Sequence, residues 1–246
     1  MKNNTQYDYN EISEGYYDKV FKKSGPQGQW HRDKFKEVIL TIDDFSNKKI
    51  LDVGCAAGTF LRSIIKLNSK AILTGVDYSE LQIQAAKNAS KNNSIKFFSS
   101  DAIKFLNNTN ENFDIITMIE LAEHFDESYC DELIRKSFDL LSPGGKIILT
   151  TPNYNSLWPV LEFFVNRFSP LSYNDQHITK LTKKKLLILI NNSLRSSQFV
   201  VKIRRFQGFA PFLWFLPNKL RNKIFMLERQ DSIYGHLLIS EITRIN

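Results

Sequence analysis

The chain has 246 residues, 42% hydrophobic and 24% charged, which is enough to bury one core in one domain. The net charge of +7 would suit nucleic acid or an anionic membrane, but the basic residues cluster only at Lys180–Lys185 and Arg204-Arg205, without zinc-finger spacing or an RNA-binding motif, so nucleic acid is the less expected partner. With no run of 18 apolar residues, no N-terminal apolar region and only Cys55 and Cys130 as thiols, we expect no membrane span, signal peptide or disulfide framework, and a cytoplasmic setting with peripheral membrane contact left open.

Residues 1–25 are polar and tyrosine-rich (Tyr7, Tyr9, Tyr16, Tyr17), and Ser24-Gly-Pro-Gln-Gly28 breaks the chain. A helix is predicted from Gln29 through Val38, Ile39 and Ile42. Ile50, Leu51 and Val53 read as a buried strand, broken by Gly54-Cys-Ala-Ala-Gly58 and followed by a helix to about Leu67. Strand, glycine turn and helix together present backbone N–H groups to a ligand, and Gly54 and Gly58 suit a tight turn approached closely. A second strand, 71–77, ends in Asp77, and Ser79-Glu80 opens a helix to Lys91. Ile95–Ser99 is the third strand, and Asp101 precedes a short helix over 102–106.

Phe113–Ile119 is almost wholly apolar, as a central strand covered on both faces should be. It runs into Glu120-Leu-Ala-Glu-His124, three ionisable groups at the strand end where open α/β sheets bind ligands. Asp131–Leu141 is an amphipathic helix with Leu133, Ile134, Phe138 and Leu141 inward; Pro143-Gly-Gly turns the chain into a fifth strand, Lys146–Thr151. Residues 154–178 are dense in aromatics (Tyr154, Trp158, Phe163, Phe164, Phe168) and end in Asp175-Gln-His177. Leaving the top of the sheet, they should cover the substrate, either as a buried helical hairpin or as an apolar surface for substrate or membrane. A helix over Thr182–Leu194 and a sixth strand, Phe199–Phe206, follow. Next come the apolar stretch Gly208–Pro217 and a basic helix, Lys219–Glu228, a membrane-surface signature too short to span, before the last strand, His236–Thr243.

Leu51-Asp-Val-Gly-Cys-Ala-Ala-Gly58 resembles the first motif of class I S-adenosylmethionine-dependent methyltransferases, an acidic residue followed by Gly-x-Gly-x-Gly, with Ala56 in place of the middle glycine. Leu141-Ser-Pro-Gly-Gly145 is similar to another signature of that family, with a structural role. Glu120-x-x-Glu-His124 resembles the pocket-lining stretch of the ubiquinone-biosynthesis O-methyltransferase group, where it has been associated with a divalent cation. The resemblance implies an α/β, Rossmann-like, seven-stranded, mostly parallel sheet flanked by helices, its last strand antiparallel between the fifth and sixth. It divides a single domain into an N-terminal lid (1–45), a cofactor-binding core (46–151), a substrate cap (152–181) and a C-terminal half (182–246) with an insertion at 207–230.

It further implies S-adenosyl-L-methionine as cosubstrate, held by Asp52, Gly54, Cys55, Ala56, Gly58, Asp77, Tyr78, Ser79, Asp101, Ala102 and Ile119. Asp77 would accept both ribose hydroxyls, Tyr78 would stack near the adenine, and Asp52 would anchor the turn and the methionine amino group. Asp101 would accept the adenine amino group, cap the following helix, or do both. Glu120, Glu123, His124 and His177 are the catalytic candidates, with His177 a second base or a loop histidine. A divalent cation is compatible with this set, and no metal ligand is assigned. In the lid, Tyr16, Trp30, His31 and Arg32 are the residues to close over the site; a surface helix docked by Trp30 and Phe35 is the alternative.

The expected activity is methyl transfer to a small-molecule, sugar or lipid-linked acceptor, on oxygen. A catalytically silent cofactor-binding subunit is the alternative that Ala56 supports. An NAD-dependent oxidoreductase shares the glycine turn, but the Pro-Gly-Gly signature and the missing Tyr-x-x-x-Lys pair oppose it. No P-loop lysine and no Gly-x-Ser-x-Gly elbow are present.

Overall fold

The computed structural model describes residues 12–67, 70–91, 95–160, 162, 177–195, 197–206, 208–231 and 235–245. Seven strands form one sheet: β1 Lys49–Val53, β2 Ile72–Asp77, β3 Lys96–Ser99, β4 Phe113–Ile119, β5 Leu141–Pro152, β6 Phe199–Phe206 and β7 Leu237–Arg244. Their order is β3-β2-β1-β4-β5-β7-β6. Pairings from β3 through to β5 are parallel, and β7 runs antiparallel between β5 and β6. This is the expected fold, down to the insertion of the last strand. The order reverses between β1 and β4, so their C-terminal ends open a crevice.

Alternate residues of each strand feed two cores. Leu51, Val53, Ile116 and Ile147 pack under α5 (Ala102–Asn108), α6 (Glu127–Asp139) and α7 (Lys183–Ser193). Ile50, Ile115 and Ile148 pack on the other face, under α2 (Pro26–Ile42), α3 (Thr59–Leu67), α4 (Glu80–Ala89) and α8 (Asn218–Glu228).

Three elements depart from expectation. Tyr16–Lys22 forms a helix, α1, where only a polar segment was foreseen. The predicted break at 24–28 ends at Gly25: Pro26 occupies the first turn of α2, and Gly28 lies within it because a Cβ there would sit 2.1 Å from the Lys23 carbonyl. The helix expected from Asp131 starts at Glu127, where Asp126 accepts the Tyr129 amide at 2.9 Å. Leu141 is not its last inward residue. It opens β5 opposite Phe113, and the register shifts beyond it before Lys146 pairs with Ile115. Of the expected cap, residues 161 and 163–176, with Phe163, Phe164, Phe168 and Asp175, lie outside the described residues.

Candidate functional site

The crevice holds a cleft of about 620 Å³, walled by the strand ends on one side and by α1 and α2 on the other. Asp52, Gly54, Cys55, Ala56, Asp77, Tyr78, Ser79, Ala102 and Ile119 line it, as do Glu120, Glu123, His124 and His177. Thirteen of the residues singled out in the sequence thus share one cavity; Gly58 and Asp101 are not among its lining residues.

The glycine turn differs in one respect from its expected use. The amides of Gly54 and Cys55 both donate to the Val76 carbonyl, at 2.8 and 3.0 Å, and that of Gly58 donates to Cys55 O at 2.8 Å. These donors tie the turn to β2 and to itself, and are not free for a ligand. The donors that the fold leaves open are those of the first turn of α3, before the Arg62 amide reaches Gly58 O. Gly54 has φ +76°, and a Cβ there would lie 2.7 Å from the Leu121 side chain. At Gly58 (φ +72°) a Cβ would strike the Phe97 ring at 2.6 Å, so packing by itself already calls for a glycine there. Ala56 adopts φ +45°, a left-handed conformation that costs an L-residue about 1 kcal/mol.

Asp77 closes this side. Its carboxylate accepts the Ala56 amide at 2.8 Å and the Ser79 amide at 2.9 Å, which fixes it at the mouth of β2. Burial raises its pKa, partly offset by those two amides. Asp52, opposite Thr117 in the register, accepts that hydroxyl at 2.6 Å. Burial, moderated by this bond, pushes Asp52 up to about 7, so a cation brought into the cleft would favour its ionised form. Asp101 caps α5 through Lys104 N at 2.9 Å and accepts the Tyr129 hydroxyl at 2.7 Å. The capping role is thus present, while Ser100 and Ala102 supply that loop's surface in the cleft. Tyr78 is about half exposed. Cys55 is a buried thiol whose pKa is raised by burial.

The opposite side of the cleft is made of charges. Glu120 has φ +50°, and its amide bonds Thr150 O at 3.0 Å. Its carboxylate pairs with Lys34, which is 3% exposed. Burial opposes the charge of Glu120, but Lys34, His31 and His177 together outweigh it and the pKa falls. His31 lies 3.4 Å from the Lys34 ammonium, and burial, then Lys34, lower its pKa to about 3, so it is neutral. Glu123 is fully buried, and neither of its oxygens has a hydrogen-bond partner among the described residues. Burial raises Glu123 to about 7, against the pull of His177 and with the push of Glu120.

His177 arrives here because the amides of Ile178 and Thr179 donate to Glu123 O at 2.8 and 3.1 Å. Its Nδ1 lies 2.7 Å from Glu162 Oε1, which also accepts the Tyr154 hydroxyl at 3.0 Å. The Tyr154 hydroxyl is also 2.7 Å from Nδ1, so this carboxylate and hydroxyl together orient the ring. Burial works against the imidazolium, but Glu162 and Glu123 outweigh it and the pKa of His177 is raised. The His124 ring is 5.3 Å from that of His177. Ligand atoms of Glu123, His124 and His177 all fall within 4.8 Å of one another, close enough to share one cation.

From residue 12 onward the N-terminal segment lies along the cleft, and its four candidate residues divide. Tyr16, Trp30 and His31 line it, but Arg32 turns away to the Phe21 and Lys23 carbonyls, at 2.6 and 3.0 Å, at the end of α1. Lys34 takes its place. Gln27, Trp30, His31 and Lys34 form one helical face on the cleft, and that i, i+3, i+4, i+7 spacing was readable once the helix was placed. Asp18 of α1 pairs with Arg62 and accepts the Thr59 hydroxyl, and Gln82 donates to Ser13 O at 3.0 Å, so this segment is fastened to the glycine turn and to α4. Glu162 and Tyr154, the partners of His177, had no signal beyond lying in the cap.

Residues 44–200 match a family model described as a methyltransferase domain. Over 123 residues the chain is 35% identical to a ubiquinone biosynthesis O-methyltransferase of Coxiella burnetii, covering 50% of each protein. Over 125 residues it is 29% identical to the mitochondrial ubiquinone biosynthesis O-methyltransferase of Schizosaccharomyces pombe, covering 48% of this chain and 43% of that protein. The chain thus spans about half the length of the curated relatives it matches. Among solved structures, the plantazolicin methyltransferase BamL, in complex with a triazolic desmethylPZN analog and SAH, superposes with a TM-score of 0.68 at 19% identity, over 89% of this chain and 87% of that one. The magnesium protoporphyrin IX methyltransferase of Synechocystis PCC 6803 with bound SAH gives 0.62 at 12% identity, over 93% and 92%. At these identities the structures establish a shared fold.

Proposed function

The chain belongs to the methyltransferase-domain family, and from that premise we propose that it transfers the methyl group of S-adenosylmethionine to an oxygen of a small-molecule, sugar or lipid-linked acceptor. The observation that carries this reading is the position of Asp77, at the end of β2 and braced by two amides, in the same cleft as the Glu123–His124–His177 cluster. Asp77 receives the ribose hydroxyls, Asp52 the methionine ammonium, and the first turn of α3 the donor's carboxylate. In this reading residues 1–45 act as the lid and 152–181 as the cap of one domain, and Ala56 is a tolerated change in an active enzyme.

The reaction is an in-line displacement. The acceptor oxygen attacks the methyl carbon, the carbon–sulfur bond breaks, and S-adenosylhomocysteine leaves. His177 Nε2 accepts the acceptor's proton, and Glu162 stabilises the imidazolium. Alignment of donor and acceptor in an enclosed cleft can supply about 7–11 kcal/mol in favourable cases. Because His177 and Glu123 both titrate above their ordinary values, turnover should climb with pH through neutrality as they lose protons. The two unpartnered oxygens of Glu123 support a second reading in which Glu123, His124 and His177 hold a divalent cation, which when bound would lower the pKa of the acceptor hydroxyl. Loss of turnover in EDTA with recovery on adding Mg²⁺ or Zn²⁺ selects this version; indifference to EDTA selects the base alone. Peripheral membrane contact was left open in the sequence and is not needed for this reading, and nucleic acid has no part in the proposal.

Calorimetry with S-adenosylmethionine, S-adenosylhomocysteine and NAD tests the donor assignment. Tight S-adenosylhomocysteine binding, lost in Asp77→Ala, is the expected result. Binding of NAD alone would overturn it, and binding of none of them by the folded protein would favour a silent subunit.

A further inference from the structure

Next to the cleft mouth, the segment between β6 and α8 exposes aromatic side chains in close succession: Phe209, Phe212, Trp214 and Phe215, the last 66% exposed. Across the mouth, Leu157 and Val160 are also exposed, on either side of Trp158. The two sets meet at the cleft. Trp158 stacks on Trp30 with ring centroids 5.9 Å apart, and Phe212 and Trp158 both line the cavity. Trp30 in turn lies so close to Gly208 that a Cβ there would fall 2.3 Å from its ring, so the aromatic segment is seated on α2.

The charge of this surface has one sign. From Phe209 to Leu227 the sequence contains Lys219, Arg221 and Lys223 and no acidic residue. Lys219 and Lys223 are exposed, and Arg221 bonds the Trp214 carbonyl at 3.3 Å. The next residue, Glu228, is buried and turned inward, accepting the amides of Phe209 and Ala210 at 2.8 and 2.9 Å. These bonds close the aromatic segment and the basic helix into one loop-helix unit and turn the Glu228 carboxylate away from the surface. Exposed aromatics beside the exposed cations Lys219 and Lys223 are complementary to an anionic lipid interface, where rings enter the acyl boundary and cations meet headgroups. Among the described residues no helix is long and apolar enough to cross a membrane, so any such contact made by them is peripheral.

We propose that residues 209–223 dock the protein on an anionic bilayer with the cleft mouth facing the lipid, so that the acceptor is an amphiphile drawn from the membrane. The docking stands on surface chemistry; the choice of acceptor rests also on the methyl-transfer reading above. The test is co-sedimentation at low salt with vesicles of phosphatidylcholine containing phosphatidylglycerol, against pure phosphatidylcholine. Wild-type protein should pellet with the anionic vesicles only, and release as salt is raised. Trp214→Ser with Phe215→Ser should lower the partition coefficient about tenfold or more at unchanged charge. Lys219→Glu with Lys223→Glu, both at exposed positions, should lower it by a similar factor with the aromatics intact. Absence of pelleting at low salt, equal pelleting on neutral vesicles, or a Trp214/Phe215 variant that pellets like wild type would each overturn docking by this face. S-adenosylhomocysteine titration of the same proteins keeps the two readings apart: both variants should keep wild-type affinity, and a wild type that pellets without binding S-adenosylhomocysteine would break the acceptor assignment and leave the docking intact.

Discussion

The two sides of the cleft are built by different means. The donor side is main chain: Gly54, Cys55, Ala56 and Ser79 use their amides on Val76 and Asp77, and a single carboxylate gathers the turn and the strand end. The acceptor side is side chain: Lys34, Glu120 and Glu123, Glu162 and His177 come from four places in the chain and meet through charge. A backbone-built site tolerates changes of side chain wherever the turn geometry survives. A charge-built site fails when one partner is removed, because the other is left buried and unpaired.

The largest effect should fall on the one residue where the donor side does depend on a side chain. Asp77→Ala removes a carboxylate acceptor for two hydroxyls and unties two amides. Charge-assisted hydrogen bonds contribute about 1.5–3 kcal/mol each, so S-adenosylhomocysteine affinity should drop by about a thousandfold in calorimetry. A loss below about tenfold would mean that the main chain alone holds the ligand. Next comes Lys34→Met, which leaves Glu120 in the cleft without its cation. Breaking such a pair costs about 3–5 kcal/mol when fully buried; with Glu120 20% exposed we expect about 2–3, a fall in melting temperature of about 5–10 °C. Lys34→Arg should recover most of it. If Lys34→Met melts like wild type, the charges of this side are less interdependent than the geometry indicates.

This contrast also explains what could be read from the sequence. Gly54 to Gly58 and Asp77 sit in contiguous strand-turn patterns, so local grammar locates them, whereas the sheet arrangement followed from the family resemblance that these motifs carry. Lys34 escaped because a lysine on a helix ordinarily reads as solvated, and only the neighbouring Trp30 and His31 reveal which face it shares. Glu162 and Tyr154 escaped because their role exists only through His177, which the amides of Ile178 and Thr179 carry to Glu123. Free donors at the glycines were expected from the motif; pairing with Val76 O instead follows from how closely the turn packs on β2.

A smaller effect tests the partnership within the acceptor side. In wild type the His177 ring protons should titrate above 6.5, since Glu162 and Glu123 outweigh burial. With Glu162→Gln burial dominates, and the value should drop below 6.5 by NMR. The sign for stability follows: a histidine whose folded pKa is raised stabilises the fold below its unfolded pKa, and that contribution disappears as pH rises through the folded value. The variant should therefore lose stability at pH 6 relative to wild type and little at pH 9. Equal losses at both would make Glu162 a packing residue only.

The smallest effect is expected at Ala56, the departure in the glycine motif. Glycine at φ +45° would relieve about 1 kcal/mol of strain, but it would also return about 0.4–1 kcal/mol of chain entropy to the unfolded state. Ala56→Gly should therefore change stability by less than about 1 kcal/mol. Its effect on the ligand should be small as well, because Ala56 meets Asp77 through its amide, which the substitution keeps. We expect S-adenosylhomocysteine affinity within about threefold of wild type. A gain of a hundredfold would show that the methyl group, and not the backbone, limits this side of the cleft, and would turn Ala56 from a tolerated substitution into the mark of a site that has given up its donor.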